Sequence, residues 1–184
     1  MAEFHDALTD KLAAFIAAQP MFFVATACAD GRINVSPKGM DTFRVLDAHR
    51  CAYLDLTGSG NETAAHIRHD GRVTVMFNSF TRNPMILRLY GRGRVARLDS
   101  PDYAAHIGRF PDLPGARQII FIHIESVQTS CGYAVPEMTL ESERPTLVKW
   151  AEKKGPDVVR AYHRDTNRVS IDGLETGILE DTGR

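Results

Sequence analysis

The sequence is poor in cysteine, has a single tryptophan and carries no surplus of charge. Its three cysteines, Cys28, Cys51 and Cys131, are odd in number and far apart, which excludes a disulfide framework or a CxxC metal knuckle and fits a reducing cytoplasm. Lys and Arg number 22 against 23 Asp and Glu, a formal net charge of −1, so no global field draws the chain to nucleic acid or an anionic membrane. Any anion site must be local. No apolar run approaches membrane-spanning length, and the mixed, acidic first ten residues lack the blocks of an export signal. The expectation is a cytoplasmic protein with neither nucleic acid nor membrane as partner. Repeats and low-complexity tracts are absent, as is a G-x-S-x-G elbow. Glu62 and His66 stand four residues apart, a spacing that supports a helix rather than a zinc site, which needs three or four convergent ligands. No metal is expected.

What is present is a folded core, with 43% hydrophobic residues. Phe4, Leu8, Leu12, Phe15 and Ile16 recur at helical spacing up to Pro20, predicting an amphipathic helix over about Asp6 to Gln19. Residues 21–28 and 33–36 read as strands joined through the Asp30-Gly31 signature of a tight hairpin turn. Further strands are predicted at 51–56, 72–80, 85–98 and 118–128, and short helices at 62–69 and 101–110. Strands that are not evenly separated by crossover helices argue against a Rossmann sheet. They point to a mainly β (α+β) fold, an antiparallel Greek-key barrel. After Val135-Pro136 the chain turns charged and helical, an appendage that Gly155-Pro156 should break into two helices.

The most informative stretch is Tyr53 to Ile67, where a strand stops in a glycine loop and re-enters as a helix. Gly58 and Gly60 permit tight turning and close approach to a ligand. Asn61, Glu62 and Thr63 fall at the helix N-terminus, whose amides lack intrahelical partners. The same residues also suit an ordinary capped turn. Lys38, between Pro37 and Gly39, is placed to reach a phosphate or to lie solvated. Arg88, Tyr90, Arg92 and Arg94 alternate along one strand face, which for Arg92 and Arg94 reads as a wet outer face. His123 reads as a core histidine, and Cys131 by residue type as a packing residue. Trp150 reads as an anchor for the C-terminal helices.

In their fixed order, the hairpin VATACADGRINVSPKG, the segment YLDLTGSGNETAAHI, the strands GRVTVMF and LRLYGRGRV and the later VQTSCGYAVP resemble the pyridoxamine 5′-phosphate oxidase-like superfamily of FMN-binding split barrels. The chain is similar to a related subgroup rather than to the oxidase proper, because Gln128–Gly132 stands where that enzyme has a Trp near the flavin and no Arg-x-His follows. The resemblance implies a split-barrel domain over residues 1–135 with an N-terminal helix, and a C-terminal helical appendage over 136–184. It implies a homodimer with FMN at the subunit interface, acting on a small molecule. Ser36, Pro37, Lys38 and Gly39 would line the flavin, Asn61, Glu62 and Thr63 would stand at its phosphate, and Arg88, Ser130 and Cys131 would lie near it. Glu62 replaces a cation that relatives carry, which shifts phosphate neutralisation to Lys38, to Arg82 or Arg88, and to backbone amides. The function implied is an FMN-dependent oxidoreductase; the alternative is a non-catalytic flavin- or haem-binding module.

Overall fold

The computed structural model describes residues 2–179. Eight strands, β1 (Glu3–His5), β2 (Phe22–Thr26), β3 (Asn34–Lys38), β4 (Phe43–Asp47), β5 (Arg50–Leu56), β6 (Arg72–Asn78), β7 (Ile86–Arg97) and β8 (Ala116–Ser130), pair antiparallel throughout. Their order is β3-β2-β6-β7-β8-β5-β4, with β1 added to β8. Consecutive strands that are not always neighbours give the split-barrel topology expected from the sequence. Among the described residues five helices flank it: α1 (Asp10–Ala17), α2 (Glu62–His69), α3 (Pro101–His106), α4 (Thr146–Lys154) and α5 (Pro156–Thr166).

Period-two patterning assigns both faces of the central strands. Cys51 and Tyr53 of β5, with Ile120, Ile122 and Ile124 of β8, enter the main core together with Leu8 and with Leu12 and Ile16 of α1. Ala52, Leu54 and Ile119 point the other way and pack beneath Tyr103 of α3 and Phe110. Both faces are therefore buried, which is why these strands read as nearly continuous apolar runs. An aromatic cluster closes one end of the core: Phe22 lies 5.1 Å from Phe43 and 5.6 Å from Tyr53, and Phe43 lies 4.9 Å from Phe77.

Several predicted elements differ in extent. The first helix begins at Asp10 rather than Asp6 because Thr9 caps it, its side chain accepting from the Leu12 amide at 3.3 Å. The apolar residues before it belong partly to β1, which pairs with β8. Strand β4 was not predicted; it is short, and four of its five residues are only half-buried, so it lacks a clean alternation. The 101–110 helix is α3 followed by a 3-10 turn, Ile107–Arg109. The hairpin of β2 and β3 forms, but through a seven-residue connection rather than a tight turn (residues 27–33). Gly155, with φ 76°, separates α4 from α5 as expected, and Trp150 meets Tyr162 edge-on at 5.4 Å, tying the two helices together. Residues 180–184 of the expected appendage lie outside the described residues. Among those described, no helix is long and apolar enough to cross a membrane.

Candidate binding site

Strand β5 delivers Asp55 to the interior just before the glycine loop, and the hairpin strand β3 carries Lys38 toward it. The Lys38 ammonium donates to Asp55 Oδ1 at 2.8 Å. Arg117, near the start of β8, donates to Asp55 Oδ2 through Nη2 at 2.6 Å and Nε at 3.1 Å. Gln118 adds a third donor to that oxygen at 2.8 Å and a bond from the same nitrogen to Asn61 Oδ1 at 2.8 Å. Burial alone would raise the Asp55 carboxyl, but Arg117 and Lys38 more than offset it and hold the group below the usual carboxylate range. Arg117 also gives Nη1 to the Gly60 carbonyl at 2.9 Å and to Asn167 Oδ1 at 2.7 Å. Nearly all its donors are engaged, so Arg117 organises the loop rather than offering itself to a ligand. Lys38 has three donors and gives one of them to Asp55, and its side chain is 21% exposed.

These groups border a cavity of about 790 Å³. The predicted residues Ser36, Pro37, Lys38, Gly39, Asn61, Glu62 and Thr63 all line it, together with Asp55, Arg117 and the glycine loop. Its lip carries consecutive left-handed residues, Met40 (φ 61°) and Asp41 (φ 53°), held by Arg44, which grips both Asp41 carboxylate oxygens at 2.8 and 2.9 Å. Asn61 precedes the first turn of α2, yet its side chain does not cap the helix. Its Nδ2, in a residue only 2% exposed, has no partner. A buried amide hydrogen left open beside uncapped helix amides is a ready anion donor.

The hydroxyls divide their roles. Ser36 donates its hydrogen to Asn34 Oδ1 at 2.9 Å and so presents only lone pairs to the cavity. Thr63 accepts from Asn34 Nδ2 at 3.1 Å and stands beside the buried Tyr53 phenol. Glu62 lines the cavity but turns both carboxylate oxygens to the Ile171 amide, each at 3.2 Å. The remaining candidates lie elsewhere. Arg88 and Ser130 are neighbours on β7 and β8, with a 3.4 Å hydrogen bond, and neither they nor Cys131 border this cavity. Cys131 is exposed rather than packed, because β8 ends at Ser130; backbone hydrogen bonds, chiefly from Tyr133, lower its thiol. Arg82 is exposed and does not line the cavity. His123 is exposed, not in the core: it falls on the outward register of β8, between buried Ile122 and Ile124. Arg92 and Arg94 are exposed and pair with Glu125 and Asp102, as the wet-face reading anticipates. Among the described residues no group of three or more His, Cys, Asp or Glu gathers as a metal site.

Sequence reasoning missed Asp55, Arg117 and Gln118. A buried Asp inside the apolar run YLDL was the available signal, since an unpaired carboxylate there is untenable. It also missed His163 of α5, whose Nε2 lies 2.7 Å from Thr57 Oγ1. Thr57 spends its one hydrogen on the Gly115 carbonyl at 2.7 Å, so the imidazole is the donor. Desolvation, then the Arg117 charge, lowers His163 to about 4.

A family model described as pyridoxamine 5′-phosphate oxidase matches residues 8–131, which include the cavity's two barrel walls and the Asp55 network. The chain belongs to the pyridoxamine 5′-phosphate oxidase family. A relative in that family, the pyridoxamine 5′-phosphate oxidase family protein ustO of Aspergillus flavus, is 41% identical over 194 residues, covering 95% of this chain and 77% of its own length. Among solved structures, a putative pyridoxamine 5′-phosphate oxidase from Lactobacillus delbrueckii is 26% identical with a TM-score of 0.53, covering 67% of this chain and 94% of that one. The FAD binding protein from Mycobacterium smegmatis shares the fold at 12% identity and a TM-score of 0.50, over 67% of this chain and 97% of its own. Helices α4 and α5 and the residues after them lie past the stretch that the oxidase family model matches.

Proposed function

We propose that this member of the family binds FMN in the cavity and serves as an oxidoreductase for a small molecule. The observation that carries the reading is the buried, unpartnered Asn61 amide beside the Gly58–Gly60 loop, in the same cavity as Lys38. The donor set fits a phosphate monoester. Asn61 Nδ2, the first amides of α2, the Thr63 hydroxyl and the free ammonium hydrogens of Lys38 can all donate to it. The volume suits a cofactor-sized ligand. Family membership supports the choice of flavin over other phosphates, and the FAD binding protein shares the fold.

Bound flavin would supply the electron transfer, and the chain would fix its orientation and access. Asp55 holds Lys38 in place, and the Gln118 bridge sets the Asn61 side chain so that its amide nitrogen is left for the ligand. The partner would be a second copy. Strand β3 is a sheet edge with Ile33 just before it and Val35 within it, 74% and 61% exposed, the kind of apolar surface an interface covers. A homodimer would also give roles at the flavin to Arg88, Ser130 and Cys131, contributed from the other copy.

The test begins with the absorption spectrum of the purified protein, expected to show flavin that bleaches with NADH or NADPH and recovers in air. Flavin inert to every reductant would favour a carrier, and a haem spectrum would replace the flavin reading. For the site, Lys38→Met is expected to weaken FMN by about tenfold or more while leaving riboflavin unaffected, since it removes a charge-assisted bond to phosphate alone. Equal loss for both ligands would remove Lys38 from the phosphate.

A further inference from the structure

Past Thr166 the chain doubles back over the cavity as an arm, residues 167–179. Asn167 anchors its root. It is fully buried and accepts Arg117 on Oδ1, donates Nδ2 to the Gly58 carbonyl at 3.1 Å and receives Thr176 Oγ1 on its own carbonyl at 2.7 Å. Ser170 stiffens the tip by accepting the Leu174 amide on Oγ at 3.0 Å and donating its own amide to the Leu174 carbonyl at 2.8 Å. The tip is then fastened on two sides. Asp172 accepts the Arg32 amide at 2.7 Å and pairs with the Arg32 guanidinium, while Ile171 gives its amide to Glu62. Val169, Ser170 and Ile171 form part of the cavity lining.

Glu62 stands where a carboxylate would repel a phosphate, yet its charge is spent on a backbone amide. Gly60 makes room for this, since a Cβ there would come within 3.1 Å of Glu62 Oε1. Gly31 does the same at the other fastening: its φ is +94° and a Cβ would meet Asp172 Oδ2 at 2.7 Å. Two glycines in two separate loops thus yield space to carboxylates that hold one arm.

We propose that Glu62 is a positioning residue that latches the arm through the Ile171 amide, making the chain's own C-terminal segment the outer wall of the ligand cavity. Its role is to place Val169, Ser170 and Ile171 against the ligand, and not to touch the phosphate. The proposal rests on the flavin site for its ligand, but the latch is a contact within the chain and can be measured without one.

The experiment pairs hydrogen exchange with ligand titration on the full chain, for Glu62→Ala, Glu62→Gln and Asp172→Ala. Loss of the latch is expected to speed exchange at the Ile171 amide by about tenfold in Glu62→Ala. Glu62→Gln, which retains an accepting oxygen, should restore most of the protection. FMN and riboflavin should weaken by the same factor in Glu62→Ala, and Asp172→Ala, which frees the tip from its other side, should reproduce that equal loss. Unchanged exchange at Ile171 in Glu62→Ala would overturn the latch. So would tighter FMN with unaltered riboflavin, because that pattern means the carboxylate faces the phosphate. If the wild-type protein binds no flavin, the flavin reading fails, and the exchange result alone decides the latch.

Discussion

Asp55 shows how one side chain can set the character of a site from within the core. Its carboxylate receives Lys38, Arg117 and Gln118 and is 1% exposed. Removing the charge leaves Arg117, whose side chain is 3% exposed, without its counter-ion. Asp55→Asn is therefore expected to lower unfolding free energy by about 3–5 kcal/mol in denaturant titration. The acid side of the stability curve should fall in two stages. His163 is lowered to about 4 from an ordinary value of 6.5, so between those values the unfolded chain takes up a proton that the folded chain refuses. Its contribution is complete above about pH 6.5 and drains away as the pH falls toward 4. Asp55 is shifted downward, so its contribution holds above the unfolded carboxylate value of about 4 and is lost only below it. Thermal unfolding across pH 7 to 3 should lose its first stage in His163→Gln and keep the second. A single acid transition unaffected by that substitution would show that His163 titrates normally.

At the scale of elements, patterns with a strict period were legible and short or irregular pieces were not. The helix over 62–69 and the long strands β7 and β8 follow from glycine punctuation, from the alternation of apolar and charged residues in β7 and from the apolar stretch Ile119–Ile122 in β8. Strand β4 and strand β1 escaped because five and three residues carry too little periodicity, and each is held by its neighbour's ladder. Helix α1 was visible because its apolar stripe fills the barrel interior. Leu12→Ala there should cost about 2–5 kcal/mol, measured by the same denaturant titration. The hairpin loop was foreseen through Asp30-Gly31, but its length was not, since residues 27–33 answer to an arm that arrives from 140 residues away along the chain. Gly31→Ala is expected to destabilise by more than about 1 kcal/mol, through the left-handed backbone and the collision with Asp172. Equal stability would mean that the arm moves aside at little cost.

At the scale of the whole molecule, the proposed pairing with a second copy can be tested at the exposed edge strand β3. FMN-loaded protein is expected to sediment as a dimer, and Val35→Lys on the exposed edge should shift it to monomer and weaken flavin binding; a monomer that binds flavin with undiminished affinity would dispose of the pairing. The sequence by itself determined the longer strands, the helices and the glycine loop, because these rest on local backbone preference and on periodic burial; the candidates from Ser36 to Gly39 came from the resemblance to the family. Only the tertiary structure decided where the charges go. Asp55 and Arg117 are 62 residues apart, and Glu62 and Ile171 are 109 apart. Such pairings are set by which strands lie side by side and by where a C-terminal arm comes to rest, neither of which leaves a period or a spacing in the chain.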